Sequence, residues 1–257
     1  MRTVRILGAG GMLGSMVAKT MELPYMIVTR EALDAENPKY DWYKDGDWVI
    51  NCVGKIKPYC GNPPTAIKVN ALFPYTLPSN TIQIATDCVY SGKKGDYVET
   101  DEHDATDVYG KTKSLGEAPH IKNLRCSIIG TDTKDVSLLE WFLKQEKTKG
   151  FTNHLWNGIT TLHFSKIVQG AIREGIDLPQ LQHIVPADKV TKAELLRIIA
   201  KHFKKDIKIT DVKAPESIDR TLSTNNPELN LKLWKAAGYD KPPTVDHMIE
   251  ELSKLSR

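Results

Sequence analysis

The seven residues Gly8-Ala9-Gly10-Gly11-Met12-Leu13-Gly14 constrain this chain more than any other stretch. They stand between the apolar run Val4–Leu7 and a helical pattern over 13–21. A strand that turns into a helix through so short a loop needs glycine where the backbone bends sharply. It needs glycine again where N–H groups approach a ligand, and again where helix and strand pack closely. A helix N-terminus adds partial positive charge and open N–H groups, so the ligand that suits the loop is a phosphate. Gly8, Gly11 and Gly14 are therefore expected around the pyrophosphate of a dinucleotide.

The first half continues as strand and helix in alternation. Short apolar runs over 25–29, 48–53, 81–86 and 123–129 suit strands buried on both faces, and a helix begins near Asp107. The second half predicts helices over 137–147, 165–174, 189–203 (capped by Thr191 or Asp188) and 244–255, with a loop over 151–161. The expected fold is α/β, a Rossmann-type doubly wound parallel sheet with a smaller C-terminal substrate-binding region. Residues 1–130 form the dinucleotide-binding core, which continues in parts of 160–190. Residues 131–257 are mainly substrate-binding and interleaved with the core.

Composition narrows the class. With 257 residues, 40% apolar and 26% charged, the chain can bury one substantial core. No apolar run reaches the roughly 20 residues of a membrane helix, and the N-terminal sequence has no secretory pattern. A net charge of +3 gives no reason to expect a nucleic-acid partner. The four cysteines, Cys52, Cys60, Cys88 and Cys126, form no Cys-x-x-Cys pair and no zinc spacing, so no metal is assigned. They imply a reducing compartment, the cytoplasm.

Three groups of residues carry chemistry. Arg30 closes the second strand, where an acidic residue would bond the ribose of NAD(H). An arginine there pairs with the 2′-phosphate of NADP(H), which makes NADP(H) the expected cofactor. Tyr109 and Lys113 are four residues apart on one helical face, so the lysine can favour the phenolate and lower the tyrosine pKa. Such a tyrosine protonates the oxygen that gains charge when hydride reaches a carbonyl carbon. Thr86, at the end of the fourth strand, offers a hydroxyl to that carbonyl, and Asp87 beside it suits a sugar hydroxyl.

The ordered set of the glycine loop, Asn51-Cys52-Val53-Gly54, Val69-Asn70-Ala71, Ala85-Thr86-Asp87-Cys88-Val89-Tyr90, Tyr109-Gly110-Lys111-Thr112-Lys113, Gly116-Glu117 and Leu124-Arg125 resembles the extended short-chain dehydrogenase/reductases. It is most similar to their dTDP-4-dehydrorhamnose reductase group. A late segment, Val185–Lys192 followed by Glu194-Leu195-Leu196, and Gly158-Ile159-Thr160-Thr161 are also similar. The resemblance implies a catalytic set of Thr86, Tyr109 and Lys113. It implies cofactor contacts from Gly11, Met12, Leu13, Cys52, Val53, Gly54, Lys55 and Asn70, with Thr86 and Asp87 facing the sugar. It further implies a nucleotide-sugar substrate, reduction of a 4-keto-6-deoxy-hexose for deoxysugar and surface polysaccharide synthesis, and a homodimer. Cys88 departs from the usual tyrosine.

For the substrate, Trp156 in a polar stretch can stack on a base or sugar, with Asn153, His154 and Asn157 supplying hydrogen bonds. Arg220 suits a diphosphate. Two alternatives stay open. One is a bifunctional 3,5-epimerase/4-reductase, in which Cys60 lies where related enzymes carry an acid/base cysteine. The other is a non-catalytic NADP-binding regulatory subunit.

Overall fold

Strands that alternate side chains between two apolar layers must be covered on both sides. β1 (Val4–Leu7) does this by sending Val4 and Ile6 into one core and Leu7 into another. The structure is a computed structural model that describes residues 3–39, 42–132 and 135–255. After β1 come α1 (Met12–Thr20), β2 (Tyr25–Val28), β3 (Trp48–Asn51) and a short α2 (Pro63–Ala66) that widens over Ile67–Leu72. Next are β4 (Thr81–Thr86), α3 (Val108–Leu115), β5 (Lys122–Cys126) and β6 (Ile128–Ile129). The second half holds α4 (Leu138–Leu143), β7 (Lys147–Phe151), β8 (His154–Trp156), β9 (Ile159–Thr160) and α5 (Thr161–Arg173). It ends with β10 (Leu181–His183), β11 (Val190–Thr191), α6 (Lys192–Phe203), β12 (Lys208–Val212), β13 (Ile218–Asp219), α7 (Pro227–Ala236) and α8 (Val245–Leu255).

Six strands form one parallel sheet in the order β10-β5-β4-β3-β1-β2. The chain leaves β1 for β2 on one side and then crosses to β3 on the other. Ligands bind at such a switch point, beyond the carboxyl ends of the strands. Three buried amides also fix the register. Asn51 Nδ2 donates to Gln83 Oε1 at 2.7 Å, and Gln83 Nε2 donates to Asn123 Oδ1 at 3.0 Å, across strands on which these residues are direct partners. A one-residue slip would break both of these bonds inside the core.

Several elements differ from the sequence expectation. The helix over 137–147 stops at Leu143, and from Lys147 the chain becomes β7, paired in parallel with β12. Gly150 makes that possible, since a Cβ there would lie 2.8 Å from Ala193 Cα on α6. The stretch 151–161 is not a loop. It holds β8, paired with β11 and β13, and β9, paired with β6. The strand over 123–129 breaks at Ser127 into β5 and β6. α5 begins at Thr161 rather than 165, because Thr160 accepts from His163 N at 3.3 Å as its cap. α6 begins at Lys192 behind a Thr191/Glu194 capping box, while Asp188 instead accepts from Val245 N at 2.8 Å, at the start of α8.

Candidate active site

Beyond the carboxyl ends of β1, β3, β4 and β5 the chain encloses a cleft of about 1080 Å³. That is at the top of the roughly 300–1,000 Å³ range of small-molecule sites. Its floor is the glycine loop. Gly8 has φ +77°, and a Cβ on it would lie 3.0 Å from Cys52 C and Val53 N, so only glycine fits. Gly11 precedes α1, and no side chain caps that helix. Its first-turn N–H groups, on residues that include the cleft-lining Met12 and Leu13, are open to a phosphate. Gly14 takes a different part from its neighbours. It lies behind the loop, where a Cβ would collide with Gly8 O, and it lets α1 pack against the turn.

Cys52, Val53, Gly54 and Lys55 line the same wall. Asn70 does not. It accepts from Lys55 N at 2.7 Å and donates to Lys55 O at 2.9 Å and to Thr112 Oγ1 at 3.1 Å, clamping the Gly54-Lys55 turn to α3. Arg30 stands at the rim with its side chain 77% exposed. Its Nη2 is 4.0 Å from Glu36 Oε1, and Lys55 Nζ is 3.7 Å from the same oxygen. Two cations therefore share one carboxylate at the end of β2. The open helix start, the positive-φ glycine and this cationic rim fit a dinucleotide with a phosphorylated ribose.

The catalytic candidates line the same cleft. Asp107 caps α3 by accepting from Gly110 N at 2.9 Å. Gly110 lets the helix lie against the end of β4, since a Cβ there would collide with Cys88 O. Tyr109, Lys113, Thr86 and Asp87 thereby line one cleft. Thr86 accepts from Cys88 N and donates to Asp87 Oδ1, both at 3.2 Å. Burial pushes the Tyr109 phenol well above its usual value, the Cys88 thiol adds to the shift, and a hydrogen bond with Thr86 opposes it. Burial lowers the Lys113 ammonium, against the pull of Glu117 and Cys52. Lys113 Nζ donates to Ile84 O at 3.0 Å. The lowering of the tyrosine pKa by Lys113, expected from their spacing, is not seen: the one lowering contribution comes from Thr86, and burial keeps Tyr109 a protonated phenol.

The residues expected at the substrate divide. Asp87 and Trp156 line the cleft. Burial raises the Asp87 carboxyl, with Lys192 and Arg220 opposing. Trp156 Nε1 donates to Ser127 Oγ at 2.8 Å, which leaves the ring as wall. Asn153, His154, Asn157 and Arg220 are not among the lining residues. Asn153 holds the 214–217 turn through Ala214 O at 3.0 Å and Glu216 O at 3.3 Å, and His154 Nε2 lies 3.2 Å from Glu216 O. Asn157 is buried and bonds both ways to the Leu222 backbone, at 2.7 and 2.9 Å. Arg220 Nε donates to Tyr90 O at 2.8 Å, with its charge felt at Asp87 and Cys88. Cys60 also stays outside, its thiol 3.5 Å from the carbonyls of Lys55 and Ile56. Lys192 is not among the residues expected from sequence, yet it lines the cleft with Ser127 and Asp132. The capping box marks it as the first residue of a helix, but only the tertiary fold aims it inward.

The parallel sheet, its switch point and the glycine-loop cleft define a Rossmann-type α/β protein. More narrowly, the fold is shared with dTDP-4-dehydrorhamnose reductases. The chain superposes on that of Bacillus anthracis in complex with NADP at a TM-score of 0.80 and 16% identity, over 100% of both chains. The Clostridium acetobutylicum protein gives 0.78 and 20%, over 99% of each. RMD from Pseudomonas aeruginosa complexed with NADPH gives 0.73 and 13%, over 99% of this chain and 97% of the other. No protein-family model matches the sequence, and no curated protein does.

Proposed function

We propose that this chain reduces the keto group of a nucleotide-linked 4-keto-6-deoxy-hexose with NADPH. One observation carries the reading: a single cleft joins the glycine loop to Thr86, Tyr109 and Lys113. Bound NADPH supplies the hydride. The loop and the start of α1 take the cofactor's diphosphate, and Arg30 with Lys55 takes its 2′-phosphate, their shared Glu36 leaving one positive charge over. The NADP and NADPH complexes of proteins with this fold support that choice. Thr86 bonds the substrate carbonyl. Tyr109, kept protonated by burial, gives its proton to the oxygen as charge develops there. Lys113, held on Ile84 O, is placed to bond the nicotinamide ribose.

Among the described residues no helix is long and apolar enough to cross a membrane. The four cysteines are free, which supports a cytoplasmic setting. Leu72 and Leu115, 59% and 63% exposed on the packed pair of α3 and the 67–72 stretch, support a homodimer.

The test is NADPH oxidation, followed optically with a panel of keto-sugar nucleotides, with NADH for comparison. Tyr109→Phe is expected to slow turnover about 10²–10⁴-fold while leaving NADPH affinity intact. Equal turnover by the variant would remove Tyr109 from the mechanism. Tight NADPH binding with no turnover on any member would replace the reductase reading with the regulatory one.

A further inference from the structure

Lys192 opens α6 and reaches the cleft from the C-terminal half of the chain. Its Nζ lies 5.5 Å from the centroid of the Trp156 ring, and that ring is itself held by the bond to Ser127 Oγ. Among the described residues the ammonium has no ion pair and no hydrogen bond, unlike Lys113, whose Nζ donates to Ile84 O. Asp87 is the carboxylate whose charge reaches it, and Arg220 adds a second cation nearby. Burial raises the Asp87 carboxyl, so the counter-charge at this end is weakened. Lys192 is half-buried, burial lowers its ammonium against the pull of Asp87, and an anion that enters beside it favours the charged form. The α1 start and the Arg30–Lys55 rim come from the first half of the chain, whereas Lys192 meets the cleft beside Trp156 and Asp87.

We propose that Lys192, steadied on the face of Trp156, receives the diphosphate of a nucleoside-diphosphate substrate. The assignment rests on the proposed function for its substrate class and adds the residue that recognises that class. It predicts binding of the nucleoside diphosphate even without the sugar.

The experiment titrates dTDP and UDP into the NADP-loaded protein by calorimetry, for wild type, Lys192→Met and Lys192→Arg. Lys192→Met is expected to weaken both ligands about ten-fold or more, and Lys192→Arg to retain most of the affinity. NADPH affinity and the melting temperature should stay close to wild type, which separates a lost contact from a lost fold. If Lys192→Met binds both ligands as wild type does, or wild type binds neither, the proposal is overturned and Lys192 is a packing cation on Trp156. Lys192-dependent binding without reduction of any keto sugar would support it and remove only the reductase reading.

Discussion

Tyr109 and Lys113 show how far a four-residue spacing reaches. It puts both side chains on one face of α3, but their protonation is set by what surrounds that face. Both are desolvated at the cleft wall, which favours the neutral phenol and the neutral amine together. A buried protonated tyrosine suits the donor's part in reduction. The same resolution applies to glycines. Gly8 and Gly14 read alike in the sequence, yet Gly8 touches the cleft and Gly14 supports it. Gly14→Ala forces α1 away from Gly8 O and is expected to cost about 1–3 kcal/mol of stability, as overpacking does. It should also weaken NADPH binding by misplacing the loop. Denaturant unfolding and NADPH fluorescence titration measure the two effects.

At the scale of elements, α3 is held by a charge network beneath the sheet's end. Arg125 on β5 is fully buried and donates to Glu117, just past α3, at 3.0 and 2.5 Å. It also donates to Tyr90 Oη at 2.5 Å, His183 Nε2 at 2.8 Å and His103 Nε2 at 2.7 Å. Both histidines must then be neutral acceptors, and burial lowers both. His183 Nδ1–H donates to Ser223 O at 2.7 Å, so the network also ties β10 to the segment after β13. Arg125→Met leaves Glu117 and two imidazoles without their donor and is expected to cost about 3–5 kcal/mol. The expected readout is a lower midpoint in urea with an unchanged slope. Gly116-Glu117 and Leu124-Arg125 stand out in the sequence as motifs, but their pairing does not.

Across the whole molecule, the C-terminal helices are joined to the sheet layer through His163 on α5. Its Nδ1 lies 2.7 Å from Thr160 Oγ1 and its Nε2 2.9 Å from Tyr239 Oη. Tyr239 donates to Glu251 on α8 at 2.6 Å, and Lys166 donates to both at 2.7 Å. Burial pushes His163 from 6.5 down to about 3, with Glu251 opposing and Lys166 and His247 assisting. Between those values the unfolded chain binds a proton that the folded chain does not, so stability falls as pH falls through the window. The melting temperature is expected to drop on acidification over that range. His163→Gln should flatten the dependence, and an unchanged slope would remove His163 as its source.

The first half of the fold was legible because strands buried on both faces, a glycine loop and a capped helix are local patterns with local causes. Thr86, Tyr109 and Lys113 are candidates on that half because the resemblance orders their motifs, and the fold brings all three to one cleft. The second half was less so. β8 and β9 are three and two residues long, and their partners in β6, β11 and β13 lie up to 64 residues away in sequence, so no periodicity announces them. His154 and Asn157 could be seen as polar, but whether each faces a ligand or another turn is a matter of which strands pair. Sequence alone determined the parallel sheet, its glycine loop and the order of the candidate motifs along it. Tertiary structure alone decided which protons are held by burial, which asparagines are spent on the backbone, and that Lys192 points inward, because those depend on solvent exclusion between segments distant in the chain.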